Sequence, residues 1–240
     1  MKFLCVVPIY NEEGKLKDLI NKIKLYNKRD SDIDFLLINN GSKDNSSKII
    51  KQSRLKYIDL NKNYGVGYAL IYGLKHAIKK KYKYLIHLAG NGKMLPEEIS
   101  LFKEKILKKN YSFVNGSRFL PNGNYNTNPI SRIIMIRTLS IFISIMYFRK
   151  ITDATCGFRA FKINIFKNNL KVLDKEKFYT YGYEYYSLGK VLLNKKIKFT
   201  EVPITMKYTK KNYSKIRPII DWFPLIFGWI GALIDGKKLQ

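Results

Sequence analysis

In the first half of this 240-residue chain, short apolar runs repeatedly end in a polar turn that leads into a helix. Uninterrupted apolar runs of this length are typical of strands that are buried on both faces of a parallel sheet. They predict strands over residues 3–7, 33–38, 57–60, 84–88 and 113–116, with a late strand over 199–204. The alternation of strands and helices predicts an α/β fold, with a mostly parallel sheet and helices on both of its faces.

The helices between these strands have their own signals. In the first helix, the apolar positions at helical spacing are Leu16, Leu19, Ile20 and Ile23. Asp44 or Ser46 is expected to cap the second helix. The third is expected over residues 68–79.

The charge of the chain favours a polyanionic partner. Lys and Arg number 45 against 18 Asp and Glu, which gives a formal net charge of +27. Such an excess is typical of proteins that meet nucleic acid, anionic membrane surfaces or phosphorylated substrates. A codon bias toward Lys, Asn and Ile would supply part of it without any function. The charge is dispersed and no recognition motif for nucleic acid is present, so nucleic acid is not an expected partner.

The cysteines and the first residues point to the cytoplasm. Cys5 and Cys156 are far apart and match no metal-binding spacing, so we expect reduced thiols. The first apolar run is too short for a signal peptide, and the polar residues 11–13 follow it at once. We therefore expect a first strand and a cytoplasmic protein.

Two apolar stretches in the second half suggest contact with a membrane surface. Residues 133–148 and 219–234 are each shorter than the roughly 20 residues that a membrane-spanning helix needs. The second contains Trp222 and Trp229 and is followed by lysines, as in helices that lie in the membrane interface. A core helix or a dimer-interface helix is the alternative.

Six segments, taken in order, resemble the family 2, GT-A fold glycosyltransferases, and within them the dolichol-phosphate mannose synthase-like branch. The segments are residues 6–13, 40–44, 63–67, 116–119, 153–160 and 201–204. The resemblance implies a GT-A fold in which residues 1–120 form a nucleotide-sugar-binding half and 121–217 an acceptor-binding half. Residues 218–240 would then be the membrane-interface helix.

The resemblance also implies a donor-binding set, which consists of Pro8, Tyr10, Glu12, Asn40, Gly65 and Gly67. In the family, the loop that contains Glu12 surrounds the base and the ribose, and a carboxylate can accept a hydrogen bond from either. Asn40 replaces the aspartate that usually reads the base. Helix-dipole stabilisation is the alternative explanation for Glu12, and a plain turn is the alternative for the two glycines.

The turn after the fourth strand departs from the family pattern. Its two metal-binding aspartates and a nearby glutamine correspond here to Ala89, Asn91 and Lys93. Lys93 could balance the charge of the leaving diphosphate without a metal, and Asn91 could still bind Mg²⁺ or Mn²⁺ weakly through its amide oxygen. A third interpretation is that the motif has decayed and the protein only binds nucleotide sugar. A divalent cation and a metal-independent reaction therefore both stay open.

The acceptor side implies a lipid phosphate. Arg118, Arg132 and Lys215 match family positions that contact the phosphate of a polyprenyl-phosphate acceptor, and guanidinium groups suit that contact. An acceptor phosphate is already ionised and needs no general base, so Asp153 is expected to orient a basic group such as Arg159.

These residues predict an inverting glycosyltransferase, peripheral on the inner face of the membrane. It would move a sugar from a nucleotide diphosphate donor to polyprenyl phosphate, with Lys93, Asn91, Asp153 and Arg118 in the catalytic site. A saccharide-hydroxyl acceptor, with Asp153 or Glu184 as the base, is the alternative transferase.

Overall fold

The computed structural model describes residues 2–125, 130–207 and 222–235, and in them it has a single seven-stranded sheet. The strands are β1 (Phe3–Ile9), β2 (Ile33–Asn40), β3 (Lys56–Leu60), β4 (Tyr84–His87), β5 (Phe113–Ser117), β6 (Arg159–Lys162) and β7 (Phe199–Pro203). Their order in the sheet is β3-β2-β1-β4-β6-β5-β7. Only β6 runs against its neighbours, β4 and β5, and the other pairings are parallel.

The predicted α/β architecture is confirmed, and one strand was missed. All six expected strands are present, and each bound lies within two residues of its prediction. The missed strand is β6, which begins at Arg159 directly after a segment that reads as a polar turn. Its signal is weak because it has only four residues and both of its ends are basic.

Nine helices connect or flank the strands in the described residues. They are α1 (Glu13–Arg29), α2 (Ser46–Gln52), α3 (Val66–Lys79), α4 (Ile99–Leu107), α5 (Ile130–Met146), α6 (Asn164–Lys167), α7 (Leu170–Leu173), α8 (Gly182–Leu193) and α9 (Trp222–Ile234). Short 3-10 turns occupy Pro96–Glu98 and Glu176–Phe178. The four predicted apolar positions of α1 are all buried. The Asp44 carboxylate accepts the Ser46 N–H at 2.9 Å at the start of α2.

Two separate cores cover the two faces of the sheet. Side chains alternate along β1, so that Leu4 and Val6 belong to one core and Cys5 and Val7 to the other. The first core contains the buried residues of α3 and α8, and the second contains those of α1 and α4. The sheet is therefore covered by helices on both faces, as predicted. The division into two functional halves at residue 120 stays a prediction.

Helix α5 leaves much of its apolar surface uncovered. Its exposed apolar residues are Ile130, Ile134, Met135, Ile141, Phe142 and Ile145. Helix α9 packs on α8 through Gly228, Trp229 and Ala232 and exposes Ile226, Phe227, Ile230 and Ile234 on its other side. None of the described helices has both the length and the apolar character that a bilayer crossing requires.

Trp229 does not lie where an interfacial tryptophan would. It is 3% exposed, its ring lies 5.5 Å from that of Tyr147, and its carbonyl accepts the Tyr147 hydroxyl at 2.6 Å. The expectation that this residue anchors the helix at a membrane surface is wrong. Trp229 instead joins α9 to α5 and α8.

Candidate active site

The loops that follow β1, β2 and β4 meet at one edge of the sheet, because these three strands are parallel neighbours. The carboxyl ends of such strands are where open α/β sheets bind ligands. A cavity of about 640 Å³ lies there. It is lined by nine of the predicted residues: Pro8, Tyr10, Glu12, Asn40, Gly65, Asn91, Lys93, Arg118 and Arg132. Gly67 and Asp153 do not line the cavity, and Lys215 falls outside the described residues.

The loop after β1 is held by the loop after β2. The Glu12 N–H donates to Ser46 Oγ at 2.9 Å, and the Asn11 N–H donates to Ser42 Oγ at 3.1 Å. In return, the Asn11 side chain accepts the Lys43 N–H at 2.8 Å. These bonds fix the backbone directly after Tyr10. Glu12 is only 9% exposed. A carboxylate fixed in this way is suited to accept hydrogen bonds from a bound ligand.

Asn40 already uses part of its hydrogen-bonding capacity inside the protein. Its Nδ2 donates to Asn63 Oδ1 at 2.9 Å, and its Oδ1 accepts the Tyr64 N–H at 3.1 Å. One N–H and one lone pair of the amide are left for a ligand. One indication of this internal hydrogen bonding is present in the sequence, because Asn63 lies in segment 63–67 of the family resemblance.

The two glycines of the 63–67 segment serve a close approach between chain segments. Gly65 has φ +97°, and a Cβ there would lie 2.2 Å from the Tyr179 carbonyl oxygen. A Cβ on Gly67 would lie 2.1 Å from the Phe178 carbonyl oxygen, and its N–H donates to the Thr180 carbonyl at 2.9 Å. The start of α3 is thereby attached to the segment that precedes α8. Packing explains Gly67 fully, whereas Gly65 also lines the cavity.

The turn from Ala89 to Lys93 lies against the β1 loop. The Gly90 N–H donates to the Pro8 carbonyl at 3.2 Å. The Lys93 N–H donates to Asn91 Oδ1 at 3.1 Å, and the Lys93 carbonyl accepts the Lys207 N–H at 2.9 Å. Lys93 is only 7% exposed and lines the cavity. Its backbone is therefore held on both sides.

The residues at this turn do not fit a divalent metal ion. Mg²⁺ and Mn²⁺ sites need carboxylate oxygens, and the only described carboxylates on the cavity wall are Glu12 and Glu184, neither of which is on the turn. The Asn91 amide oxygen accepts the hydrogen bond from Lys93 N–H. Across the described part of the chain, no group of three His, Cys, Asp or Glu residues is arranged to hold a metal.

Arg118 and Asp153 form a buried ion pair. Arg118 Nε and one terminal nitrogen lie 2.6 and 2.7 Å from the two Asp153 carboxylate oxygens, and the two residues are 2% and 0% exposed. The same guanidinium donates to Thr155 Oγ1 at 2.6 Å. Asp153 thus orients a basic group, and that group is Arg118. The named candidate, Arg159, donates instead to Asn115 Oδ1 and to the Cys156 carbonyl, at 3.1 and 2.9 Å.

The cavity wall also contains residues outside the predicted donor, acceptor and catalytic sets, among them Lys15, His87 and Glu184. Lys15 lies in the first turn of α1. His87 is 3% exposed, and burial together with the charge of Arg159 lowers its pKa to about 3, so it is neutral at physiological pH. Glu184, considered only as an alternative base, lies so close to Gly157 that a Cβ there would be 2.7 Å from its Oε1.

Glu184 presents a carboxylate on the cavity wall. No hydrogen bond to its side chain is formed within the described residues, and burial raises its pKa. Arg159 opposes that rise through its charge but does not pair with the carboxylate directly. A partly buried carboxylate that faces a cavity is available to a ligand hydroxyl or N–H.

Comparisons with known proteins place the chain in a family. The model of glycosyl transferase family 2 matches residues 4–170. The dolichyl-phosphate N-acetylglucosaminyltransferase of Methanococcus voltae that uses UDP-N-acetylglucosamine is 26% identical over 98% of this chain and 97% of its own. The polyprenol monophosphomannose synthase of Mycolicibacterium smegmatis is 23% identical over 89% of this chain and 80% of its own.

Solved structures agree on the fold. Glucosyl-3-phosphoglycerate synthase from Mycobacterium tuberculosis, in complex with UDP, superposes with a TM-score of 0.68 at 13% identity, over 98% of this chain and 79% of that one. With the predicted sheet and the cavity at its edge, these likenesses lead to one conclusion: the chain is a glycosyltransferase that belongs to glycosyl transferase family 2.

Proposed function

We propose that this glycosyltransferase moves one sugar from a nucleotide diphosphate donor to a polyprenyl phosphate at a membrane surface. The proposal rests on helix α5, which contacts the cavity with one side and exposes apolar residues on the other. Its first turn supplies Arg132 to the cavity, and its outer side presents a row of exposed apolar residues, among them Ile141 and Phe142. A phosphate with a long apolar tail matches that arrangement.

The donor is proposed to occupy the part of the cavity formed by the β1 and β2 loops. Tyr10 offers a ring, Glu12 a carboxylate and Asn40 its remaining amide capacity. Base and ribose present both N–H or O–H donors and acceptors, which these groups complement. The printed name of the Methanococcus voltae relative supports a UDP-sugar as the first donor to test.

The acceptor phosphate is proposed to bind at Arg132. Its second pKa is about 6, so it carries a nucleophilic oxygen at neutral pH without help from a base. That oxygen forms a bond to the anomeric carbon while the bond from this carbon to the diphosphate oxygen breaks. The electron pair leaves with the nucleoside diphosphate, the anomeric configuration inverts, and no proton is transferred.

The buried ion pair is consistent with this route. Asp153 has both carboxylate oxygens bound by Arg118, so it is not placed to remove a proton from an acceptor. Its proposed role is to fix Arg118, whose guanidinium borders the cavity beside Thr155.

Membrane contact is proposed for the uncovered sides of α5 and α9, at the inner face. Contiguous exposed apolar surface marks an interaction site. The net charge of +27 would add attraction to anionic lipid, about 1 kcal/mol for each lysine or arginine close to the surface. The polyprenyl acceptors in the printed names of two relatives support contact with a membrane.

A second candidate is transfer to a saccharide hydroxyl, with Glu184 as the base. It is favoured by the position of this carboxylate on the cavity wall and by its raised pKa, which moves it toward the range that suits a general base. A saccharide acceptor is polar, so the exposed apolar surface of α5 would take no part in binding it.

An acceptor panel tests the proposal. UDP-sugars and GDP-mannose are each offered with undecaprenyl phosphate, undecaprenol or soluble saccharides, and transfer is followed by radiolabel. We expect labelled lipid from the phosphate and none from the alcohol. Labelled soluble saccharide would favour the second candidate, and nucleotide binding without transfer to any acceptor would contradict both.

A further inference from the structure

The proposed reaction releases a nucleoside diphosphate, and the negative charge that develops on it must be balanced. We propose that two lysines, Lys15 of α1 and Lys93 of the turn after β4, balance this charge together in place of a divalent metal ion. The inference rests on the proposed function for the identity of the leaving group. Lys15 has no assigned role, and only the fold brings it beside Lys93.

Lys15 lies next to the turn that would hold a metal in related enzymes. Its Cβ is 3.8 Å from the position that a Cβ on Gly92 would take, and Gly92 has φ +68°. The neighbouring Leu16 is buried in the core, so the first turn of α1 is fixed against the sheet. Lys15 is partly buried, lines the cavity and has no ion-pair partner within the described residues.

Lys93 enters the same cavity from the turn itself. Lys93 is only 7% exposed, although lysines are rarely buried to this extent. Its backbone is held by Asn91 Oδ1 on one side and by the Lys207 N–H on the other. A cation held in position before the ligand arrives needs little rearrangement when charge develops on the diphosphate.

The charges of the cavity make these lysines the suitable pair. Among the described residues, four cationic side chains line it, namely Lys15, Lys93, Arg118 and Arg132. Asp153 neutralises Arg118, and Arg132 lies on α5, the acceptor side. Two lysines supply the same positive charge as one divalent ion. They do so without the two carboxylates that would hold a metal, so the turn keeps a net positive charge and attracts the diphosphate directly.

Binding measurements without any acceptor test the inference. Isothermal titration calorimetry with UDP and GDP, and with the matching nucleosides, is run in EDTA and in Mn²⁺. We expect the wild-type protein to bind one diphosphate with equal affinity in both buffers. Lys15→Ala and Lys93→Met should each weaken diphosphate binding about tenfold or more and leave nucleoside binding unchanged.

Two further variants make the result specific. Lys17→Ala removes an exposed lysine from the same helix and should bind like the wild type. Lys93→Arg keeps the charge and should recover most of the affinity that Lys93→Met loses, which a merely structural role would not predict. In transfer assays, Lys93→Met should also lower the turnover rate about a hundredfold or more.

The inference is overturned if diphosphate binding requires Mn²⁺, if neither diphosphate binds, or if Lys15→Ala and Lys93→Met bind it like the wild type. These outcomes do not depend on the acceptor. A protein that binds diphosphate through both lysines in EDTA but never glycosylates polyprenyl phosphate would leave the inference standing and refute the proposed function.

Discussion

The cavity has two walls of different construction. The wall from β1, β2 and β4 consists of loops at the ends of parallel strands, and backbone hydrogen bonds to short polar side chains such as Ser42 and Ser46 hold these loops in place. The wall from residues after 117 depends on a buried ion pair, an antiparallel strand and a helix with an exposed apolar side. The first wall holds polar groups in fixed positions, and the second joins a charged centre to an exposed apolar surface. Their responses to mutation should therefore differ.

The stability of the protein should depend most strongly on the buried Arg118–Asp153 pair of the second wall. Asp153→Ala leaves Arg118 buried without its counter-charge, so we expect the free energy of unfolding to fall by about 3–5 kcal/mol. Urea denaturation followed by circular dichroism measures it. The control is Asp18→Ala, which breaks the exposed Lys22–Asp18 pair on α1 and should change stability by less than about 0.5 kcal/mol. If both variants lost the same free energy of unfolding, the buried pair would be no more important for stability than the exposed pair.

The next effect separates the ligands of the two walls. Arg132→Ala should raise the KM for polyprenyl phosphate about 10- to 100-fold, because a charge-assisted contact to phosphate is lost. The KM for the nucleotide sugar should not change. Glu12→Gln in the first wall should do the reverse, with a higher KM for the donor and an unchanged one for the acceptor. Steady-state kinetics with each substrate varied in turn measures both, and a variant that raised both KM values would argue against separate walls.

A smaller effect is expected for the apolar side of α5. Replacing both Ile141 and Phe142 by serine should weaken binding to vesicles of phosphatidylglycerol and phosphatidylcholine about tenfold. The two side chains are 62% and 59% exposed, so stability should stay near that of the wild type. Leu25→Ser, at an exposed apolar position on α1, is the matched control and should bind vesicles normally. Binding is measured by vesicle sedimentation. Unchanged binding of the α5 variant would show that this side of α5 does not contact the membrane.

The smallest effect is the pH dependence of Glu184. Burial raises its pKa in the folded protein above the ordinary value of 4.5. The folded state therefore holds the proton more tightly than the unfolded chain, and this residue lowers stability as the pH rises through that range. We expect Glu184→Gln to be more stable than the wild type at neutral pH and equal to it near pH 4. Thermal unfolding across this range measures the gap, and a constant gap would rule out titration as its cause.

The two walls also differed in how far the sequence could predict them. In the first wall, local signals sufficed: apolar runs gave β1 to β4, and the residues at their ends, such as Tyr10 and Glu12, line the cavity as expected. In the second, β6 carries basic residues at both ends and forms only by pairing with distant strands. The partner of Asp153 is set by the same long-range pairing, so the sequence could offer a basic group but not choose Arg118 over Arg159.

Two residues show what local sequence patterns do not predict. Nothing local distinguishes Lys15 from the other lysines of α1, and it reaches the wall only because α1 passes beside Gly92. Trp229 was predicted at a membrane interface from composition, but it is buried against Tyr147, because α9 has two apolar sides and α8 covers one of them.

The most direct measurement is the structure of the reaction product. The protein is incubated with the donor that it binds and with undecaprenyl phosphate in vesicles, and the lipid fraction is analysed by mass spectrometry and by phosphorus and proton NMR. We expect one sugar joined to the lipid through a phosphodiester, with the anomeric configuration opposite to that of the donor. A lipid fraction without sugar for every donor that binds, or a product with retained configuration, would contradict this expectation.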